Sequence, residues 1–242
     1  NYFMKHLTLQ QNIQQHIKQI GDLERLISKV ATQKINPREV VQLKNSLNAI
    51  VPIKQIISET DSEALKVLGE NLHACDLLRN KIEECLHDEA PVNIVKGNAV
   101  APGFSEELDE LRQIAFSGKD YLDKMVEREV EATGITSLKI ASNNVFGYYI
   151  EVRNTHKDKV PETWVRKQTL VSSERYITEE LKEYEAKILG AEEKIHVLEQ
   201  EIFQKLISWI NDYIKSVQQN AILVGRIDCL CSFAQLALEE NY

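Results

Sequence analysis

Apolar residues recur at alternating spacings of three and four positions towards the C-terminal end of the chain. The positions are Leu181, Tyr184, Ile188, Ala191, Ile195, Leu198 and Ile202. This spacing is typical of a coiled-coil seam. It predicts one helix from Thr178 to Gln219, which would span roughly 60 Å at about 1.5 Å per residue. No single globular core needs a helix of that length, so the pattern favours a long arm.

A poorer series of the same kind precedes it: Leu108, Leu111, Ala115, Gly118, Leu122 and Met125. Ser105 is a candidate N-cap, with Glu106 and Glu107 in the first turn, where the helix dipole favours acids. The small Ala115 and Gly118 would allow a partner helix to approach closely. We therefore expect the two segments to pair as an antiparallel lever.

Strand-like sequence separates the two heptad series. Leu138 and Ile140 alternate with polar or small residues, and Phe146, Tyr148, Ile150 and Val152 alternate after them. A three-residue loop that includes Asn143 and Asn144 would place both apolar sets on one face. Lys139, Glu151 and Arg153 would then lie on the wetter face. A further strand is predicted from Trp164 to Leu170, and the chain re-enters the lever at Thr178.

The first hundred residues carry helical patterns and clear punctuation. Residues 1–34 are predicted to be helical with an interruption near Gly21, and Asn36 to Glu39 predicts the start of a helix that runs to about Ile57. Another helix is predicted over residues 62–86. Residues 90–103 contain two Pro and two Gly, which break the helical run, and we expect them to pair as a short ribbon.

These patterns predict a mainly α fold: a helical core, a long antiparallel coiled-coil lever and a small antiparallel β domain inserted at its tip. We assign residues 1–122 to the core and the outgoing arm, residues 123–180 to the β-containing insertion, and residues 181–242 to the returning helix and a core helix. Because the sequence begins at Asn1 rather than Met, we expect a fragment of a larger protein.

Composition limits the function classes. No run of about 18 apolar residues or signal-peptide layout occurs, so we expect a cytoplasmic protein without a membrane segment. The four cysteines, Cys75, Cys85, Cys229 and Cys231, form no paired framework and are expected to be reduced. Cys229 and Cys231 are two apart on a predicted helix, so they should lie on different faces.

Charge is unevenly distributed along the chain, whose net charge is −8. Residues 135–176 carry seven basic and four acidic residues, a net charge of +3, so the remainder carries −11. A basic tip on an acidic shaft would touch a polyanion only at its end. A solvated β module with an ordinary excess of lysine explains the same numbers.

Four stretches resemble the MutS family of DNA mismatch-repair proteins: GDLERLI (21–27), GFSEELDELR (103–112), SLKIASNNVFGYYIEV (137–152) and VRKQTLVSSERYITEELKEYEAKILGAEEKI (165–195). Their order and spacing agree with the family, and the resemblance covers essentially the whole chain. It implies the helical core and lever with the clamp domain inserted at the tip. In that family two such clamps close across duplex DNA in a dimer.

The resemblance also implies contacts to the phosphate backbone, which position DNA without reading its sequence. Asn143, at the family's turn position, and Ser172, where many relatives carry Asn, match backbone-contacting positions. Charge and location add five further candidate DNA-binding residues: Arg166, Lys167, Arg175, Lys139 and Arg153.

The family's ATP-binding motif, G-x-x-x-x-G-K-[ST], is absent from this sequence, and so is its mismatch-probing aromatic motif. We expect no cofactor and no enzyme activity in this fragment. For the full-length protein the resemblance implies a DNA-dependent ATPase that uses ATP and Mg²⁺, a homodimer, mismatch-repair partner proteins, and a bacterial cytoplasmic location with action at the nucleoid.

Two other classes of function account for parts of this sequence. Glu70 with His73, Glu84 with His87, and Glu193 with His196 have the Glu-x-x-His spacing of di-iron bundles. Each pair lies off the apolar stripe of its helix, however, so solvent-facing partners are the better explanation. A coiled-coil scaffold that binds protein partners shares the predicted lever but gives no role to a basic β tip.

Overall fold

The computed structural model describes residues 2–143 and 145–240, except for the side chain of Lys96. The helices are α1 (Tyr2–Lys5), α2 (Leu7–Ile17), α3 (Leu23–Ala31), α4 (Pro37–Ser58), α5 (Glu63–Asn71), α6 (Asp76–Cys85), α7 (Glu106–Thr133), α8 (Glu179–Ile210) and α9 (Ile214–Glu239). The strands are β1 (Lys139–Asn143), β2 (Gly147–Arg153), β3 (Val165–Thr169) and β4 (Ser173–Ile177). The mainly α class with a small antiparallel sheet is confirmed.

Contacts within the chain form two compact units. The helical unit consists of Asn1–Phe104 and Glu199–Tyr242, and the sheet unit consists of Ser105–Leu198. In the helical unit, α4 supplies much of the core with fully buried side chains such as Leu43, Leu47 and Ile50.

The predicted start of α4 is confirmed. The Asn36 side chain accepts a hydrogen bond from the Glu39 backbone N–H, and the Glu39 carboxylate accepts one from the Asn36 N–H. This reciprocal pair satisfies two backbone donors that the first turn leaves without partners.

The single helix predicted over residues 62–86 is wrong, because the chain leaves the helix between α5 and α6. Cys75 has a left-handed backbone, with φ at 51°. The Lys54 ammonium donates to the carbonyl oxygens of Gly69 (2.9 Å) and Leu72 (2.5 Å), and so satisfies the C-terminal end of α5. Apolar spacing continued through this break, but a side chain from α4 stabilises the interruption.

The ribbon predicted over residues 90–103 forms in part, because the end of this segment pairs with the residues directly after α6. Leu86 and Val100 form an antiparallel bridge, and the His87 N–H donates to the Ala99 carbonyl at 3.0 Å. All four cysteines are free thiols. Cys231 is buried and Cys229 is exposed, as expected from their spacing on α9.

Within the sheet unit, α7 and α8 pack antiparallel along the predicted seam. Leu108, Ala115, Gly118, Leu122 and Met125 are buried on α7, and Leu181, Ile188 and Ala191 are buried on α8. The rings of Tyr121 and Tyr184 stack across the seam with centroids 3.7 Å apart. Ser105 caps α7 by accepting a hydrogen bond from the Leu108 N–H.

The predicted extent of the return helix is wrong at its C-terminal end. α8 is 32 residues long and ends at Ile210. A 3-10 turn, Asn211–Tyr213, then separates it from α9. Asn and Asp compete with the helical backbone for hydrogen bonds, which gives a local reason for the change at Asn211 and Asp212.

The sheet has the order β1-β2-β4-β3, and all neighbours are antiparallel. Asn143 and Gly147 are the last paired residues of the first hairpin, so three residues connect the strands, as predicted, but Asn143 belongs to β1 rather than to the loop. Asn144 lies outside the described residues. Ile150, Val152 and Tyr176 pack from one face of the sheet onto Trp164 and the seam residues Leu122 and Leu181.

One described helical stretch, residues 179–239, contains an 18-residue window long and apolar enough to cross a membrane by length and composition alone. Core helices of soluble proteins meet the same criterion, and 28% of this window is buried. The exposed apolar side chains near the C-terminal end include Ile222, Phe233 and Leu236. In this chain α9 therefore presents an apolar surface outside the core.

Candidate nucleic-acid interface

One face of the sheet is apolar and the other carries a row of polar side chains. Lys139 on β1 pairs with Glu151 on β2, which pairs with Arg175 on β4, which pairs with Gln168 on β3. Side chains at paired positions point to the same face of a sheet. The alternation predicted from sequence for Lys139, Glu151 and Arg153 therefore places them on the polar face, as expected.

Glu151 lies between two cations in this row. Lys139 Nζ is 3.1 Å from its carboxylate on one side, and Arg175 Nε is 3.4 Å from it on the other. The hydrogen bond from Lys139 holds the pKa of Glu151 below its usual value, and burial opposes that effect only in part. The carboxylate thus stays ionised and keeps both cations on the polar face.

Arg175 is held by three neighbours at once. Besides Glu151, it donates to Gln168 Oε1 at 2.8 Å, and its guanidinium lies 4.3 Å from the centre of the Tyr149 ring. Only 20% of its side chain is exposed, against 63% for Lys139. Charge and location predict a DNA contact at Arg175, but they do not predict this degree of enclosure.

The two neighbouring cations on β3 have different surroundings. Arg166 pairs with Tyr176 and donates to Glu174 at 3.2 Å. Glu174 lies on the face of the sheet opposite the polar row. The register shifts between Arg166 and Gln168, so Lys167 is the extra residue of a β-bulge and is exposed. Bulges re-aim side chains out of the ladder. Lys167 is therefore available to a large partner.

Glu174 is a buried carboxylate with two donors. The Tyr176 hydroxyl and Arg166 both donate to it. The hydrogen bond from Tyr176 is the largest of the effects that hold the pKa of Glu174 below its usual value. Burial, and then the same bond, raise the pKa of Tyr176 to about 12. This pair fixes Arg166 to the sheet.

The turn between β3 and β4 closes one end of the sheet. The Leu170 N–H donates to the Ser173 carbonyl at 2.8 Å, and Ser173 pairs with Arg153. Asn154 clasps the turn: its backbone N–H donates to the Ser172 carbonyl at 3.1 Å, and its Nδ2 donates to the Val171 carbonyl at 3.0 Å. Ser172 and Arg153 are thus close together at this end, and both are exposed.

Asn143 lies at the other end of the sheet. Its Oδ1 accepts from the backbone N–H groups of Val145 (2.9 Å) and Phe146 (2.8 Å), so the side-chain oxygen shapes the turn of the first hairpin. The Nδ2 amide is a donor that this turn does not use. β1 and β4 both pair with β2. The turn that carries Asn143 lies at the start of β2, and the turn that carries Ser172 lies beside its end, so the structure does not bring the two residues together.

Sequence reasoning missed two residues that shape this surface. Asn154 orders the turn that carries Ser172, and Tyr149 supports Arg175. An Asn directly after a strand is a turn signal that could have identified the first. The role of Tyr149 depends on its contact with Arg175 on the neighbouring strand, and no local sequence pattern predicts that contact. The DNA-binding roles of Asn143, Ser172, Arg166, Lys167, Arg175, Lys139 and Arg153 stay a prediction.

Comparison with known proteins decides the family. Residues 103–194 match the family model described as MutS family domain IV. The whole chain is 68% identical to the DNA mismatch repair protein MutS of Christiangramia forsetii and 63% identical to that of Flavobacterium johnsoniae. The chain belongs to the MutS family. It spans 28% of the length of each of these two MutS relatives.

The residues of this MutS-family chain do not fit an ATP or Mg²⁺ site of the P-loop type. The sequence contains one Gly-Lys dipeptide, Gly118–Lys119. It lies inside α7, whereas a P-loop needs a glycine-rich turn whose N–H groups face the phosphates. Lys119 is instead 2.6 Å from Glu192 across the helix pair.

Metal binding by the helical histidines receives no support from the described residues. His73 Nε2 lies 3.2 Å from Gln219 Oε1. Residues 2–143 and 145–240 contain no group of three or more His, Cys, Asp or Glu side chains that could hold a metal ion.

Proposed function

We propose that the sheet unit holds duplex DNA through its phosphate backbone, as part of a MutS-family mismatch-repair protein. The observation that carries this proposal is the end of the sheet around Arg153, Ser172 and Lys139, where exposed polar and basic groups lie on a chain segment of net charge +3. The rest of the chain carries −11. Phosphates would be attracted to this end and repelled elsewhere.

Non-specific contact follows from the kind of groups present. Lys139 is 63% exposed, and Lys167 projects from a bulge. Their ammonium groups are point charges that favour a phosphate in any sequence context. We therefore assign the sheet to positioning DNA rather than to reading bases.

The helix pair would connect DNA holding to the rest of the protein. α7 and α8 are joined by an apolar seam and by ion pairs such as Lys119 with Glu192. A stiff helix pair transmits small rotations as larger displacements at its far end. We propose that ATP and Mg²⁺ act in a part of the protein outside this chain, and that the intact protein is a homodimer that works with mismatch-repair partners at the bacterial nucleoid.

Hydrogen exchange of this chain with and without duplex DNA tests the proposal. We expect DNA to slow exchange within residues 139–176, chiefly at the Leu170–Ser173 turn and β1, and to leave α2 and α3 unchanged. Two duplexes of unrelated sequence should give the same pattern. Protection confined to the helical unit would contradict a clamp. Absence of any DNA effect at low salt would favour the scaffold that binds proteins.

A further inference from the structure

We propose that Glu185 on α8 is a positioning residue that fixes the clamp sheet to the lever by holding the start of β2. The inference rests on the proposed function, because it concerns how the DNA-holding sheet follows the helices. We call the contact of Glu185 with Gly147 and Tyr148 the Glu185 latch.

The latch joins residues that are far apart in sequence. The Tyr148 backbone N–H donates to Glu185 Oε2 at 3.0 Å. Tyr148 on β2 pairs with Ser142 on β1, so this bond anchors the first hairpin directly. A hydrogen bond to an ionised carboxylate is stronger than one between neutral groups. The sheet therefore has a polar tie to α8 in addition to its apolar core.

Gly147 makes room for the carboxylate. A Cβ built on Gly147 would lie 2.1 Å from Glu185 Oε1, so any side chain at this position would force the carboxylate to move away. Gly147 also has a φ of +68°, where L side chains are strained. The same glycine thus ends the turn shaped by Asn143 and admits Glu185 against the backbone.

The Tyr148 side chain is partly buried against the core of the sheet unit and lies within the electrostatic influence of charges on α7 and α8. Burial raises the pKa of Tyr148, and the neighbouring Glu192 and Glu185 carboxylates act in the same direction while Lys119 opposes them. Lys119 and Glu192 are themselves paired between α7 and α8 at 2.6 Å. The Tyr148 backbone is thus bonded to α8, and its side chain packs against the core of the sheet unit.

Amide exchange of Tyr148, measured by NMR on the 242-residue chain, tests the latch without DNA. In Glu185→Ala the exchange should accelerate by about tenfold or more, the size expected for losing a hydrogen bond to a charged group. Glu185→Gln keeps an acceptor oxygen and should restore most of the protection. Glu183→Ala on the same helix removes an exposed carboxylate and should change nothing at Tyr148.

Gly147→Ala adds a second test of the same contact. In the unaltered chain the new methyl group would collide with Glu185, so the substitution should accelerate Tyr148 exchange strongly. In the Glu185→Ala background the collision is gone and only the strain of a positive φ remains. The effect of Gly147→Ala should therefore be smaller there. Equal effects in both backgrounds would contradict the latch.

DNA binding of the same variants separates the latch from the proposed function. If both hold, Glu185→Ala weakens duplex binding several-fold and Glu185→Gln binds as the unaltered chain does. Faster Tyr148 exchange with unchanged DNA binding would overturn the positioning role. Unchanged exchange in Glu185→Ala would overturn the latch itself. If the unaltered chain binds no DNA, the proposed function fails, and the exchange data still decide whether Glu185 holds the hairpin.

Discussion

Gly118 on α7 packs directly against Ile188 on α8. A Cβ built on Gly118 would lie 2.5 Å from Ile188 Cγ1, closer than side-chain atoms approach. Ile188 is fully buried and belongs to the core of the sheet unit. The close approach of the two helices therefore depends on the missing side chain at position 118.

Gly118→Ala should lower the free energy of unfolding of the sheet unit by about 1 kcal/mol. Overpacking costs roughly 1–3 kcal/mol, which outweighs the gain of up to about 1 kcal/mol from the better helix propensity of Ala. Urea unfolding followed by Trp164 fluorescence, in a Trp209→Phe background, measures the change.

Gly190→Ala is the matched control on α8. A Cβ there meets no atom within 4 Å. The substitution should raise the free energy of unfolding by up to about 1 kcal/mol, because only the helix propensity changes. If both alanine variants were stabilised alike, the proposed close packing at Gly118 would be wrong.

Asn220→Ala should destabilise the helical unit by about 2–3 kcal/mol. The Asn220 side chain is completely buried; it accepts from the His73 N–H and donates to the His73 carbonyl, both at 2.8 Å. Its removal leaves two backbone groups without partners. Urea unfolding followed by Trp209 fluorescence, in a Trp164→Phe background, measures the stability of the helical unit. Asn45→Ala, at an exposed position of α4, should change it by less than about 0.5 kcal/mol. Equal, small effects would show that the break after α5 does not depend on Asn220.

Arg128 should stabilise the chain in a pH-dependent way through Glu180. Its guanidinium donates to both Glu180 oxygens, at 3.1 and 2.7 Å. These hydrogen bonds are the largest of the effects that lower the pKa of Glu180. A lowered folded-state pKa adds stability above the unfolded value of 4.5, and that stability is lost as the pH falls through the folded value.

The free energy difference between the unaltered chain and Arg128→Ala should therefore be largest at neutral pH and shrink below pH 4.5. Because both side chains are at least a third exposed, we expect less than about 1 kcal/mol. Thermal unfolding at a series of pH values measures the difference, with the uncharged Gln113→Ala as control. A difference that grows on acidification would reverse the assigned sign.

Local sequence patterns predicted most of the fold. The heptad series predicted the α7–α8 seam, Asn36 and Glu39 predicted the start of α4, and alternation predicted the polar face of the first hairpin. Each of these depends on residues within a few positions of one another. The wrong prediction of a single helix over residues 62–86 has its cause in contacts between distant residues. Lys54 on α4 stabilises the end of α5, inside that span.

The candidate site was predictable in composition but not in arrangement. Charge alone selected Arg175, yet its partners come from two neighbouring strands. The strand order β1-β2-β4-β3 places Asn143 and Ser172 at opposite ends of the sheet, and no local pattern encodes that order. The contact of Glu185 with Tyr148 likewise joins residues 37 positions apart.

The central claim is that the Arg153 end of the sheet holds duplex DNA. Fluorescence anisotropy of a labelled duplex tests it most directly, with the unaltered chain, an Arg153→Glu, Lys167→Glu variant and a Lys18→Glu, Lys215→Glu control. Both variants change the net charge equally, and all four residues are exposed. We expect sequence-independent binding that weakens roughly tenfold or more between about 50 and 200 mM salt. Binding should be lost in the sheet variant and kept in the control. Equal binding by both variants, or none by the unaltered chain at low salt, would contradict the claim.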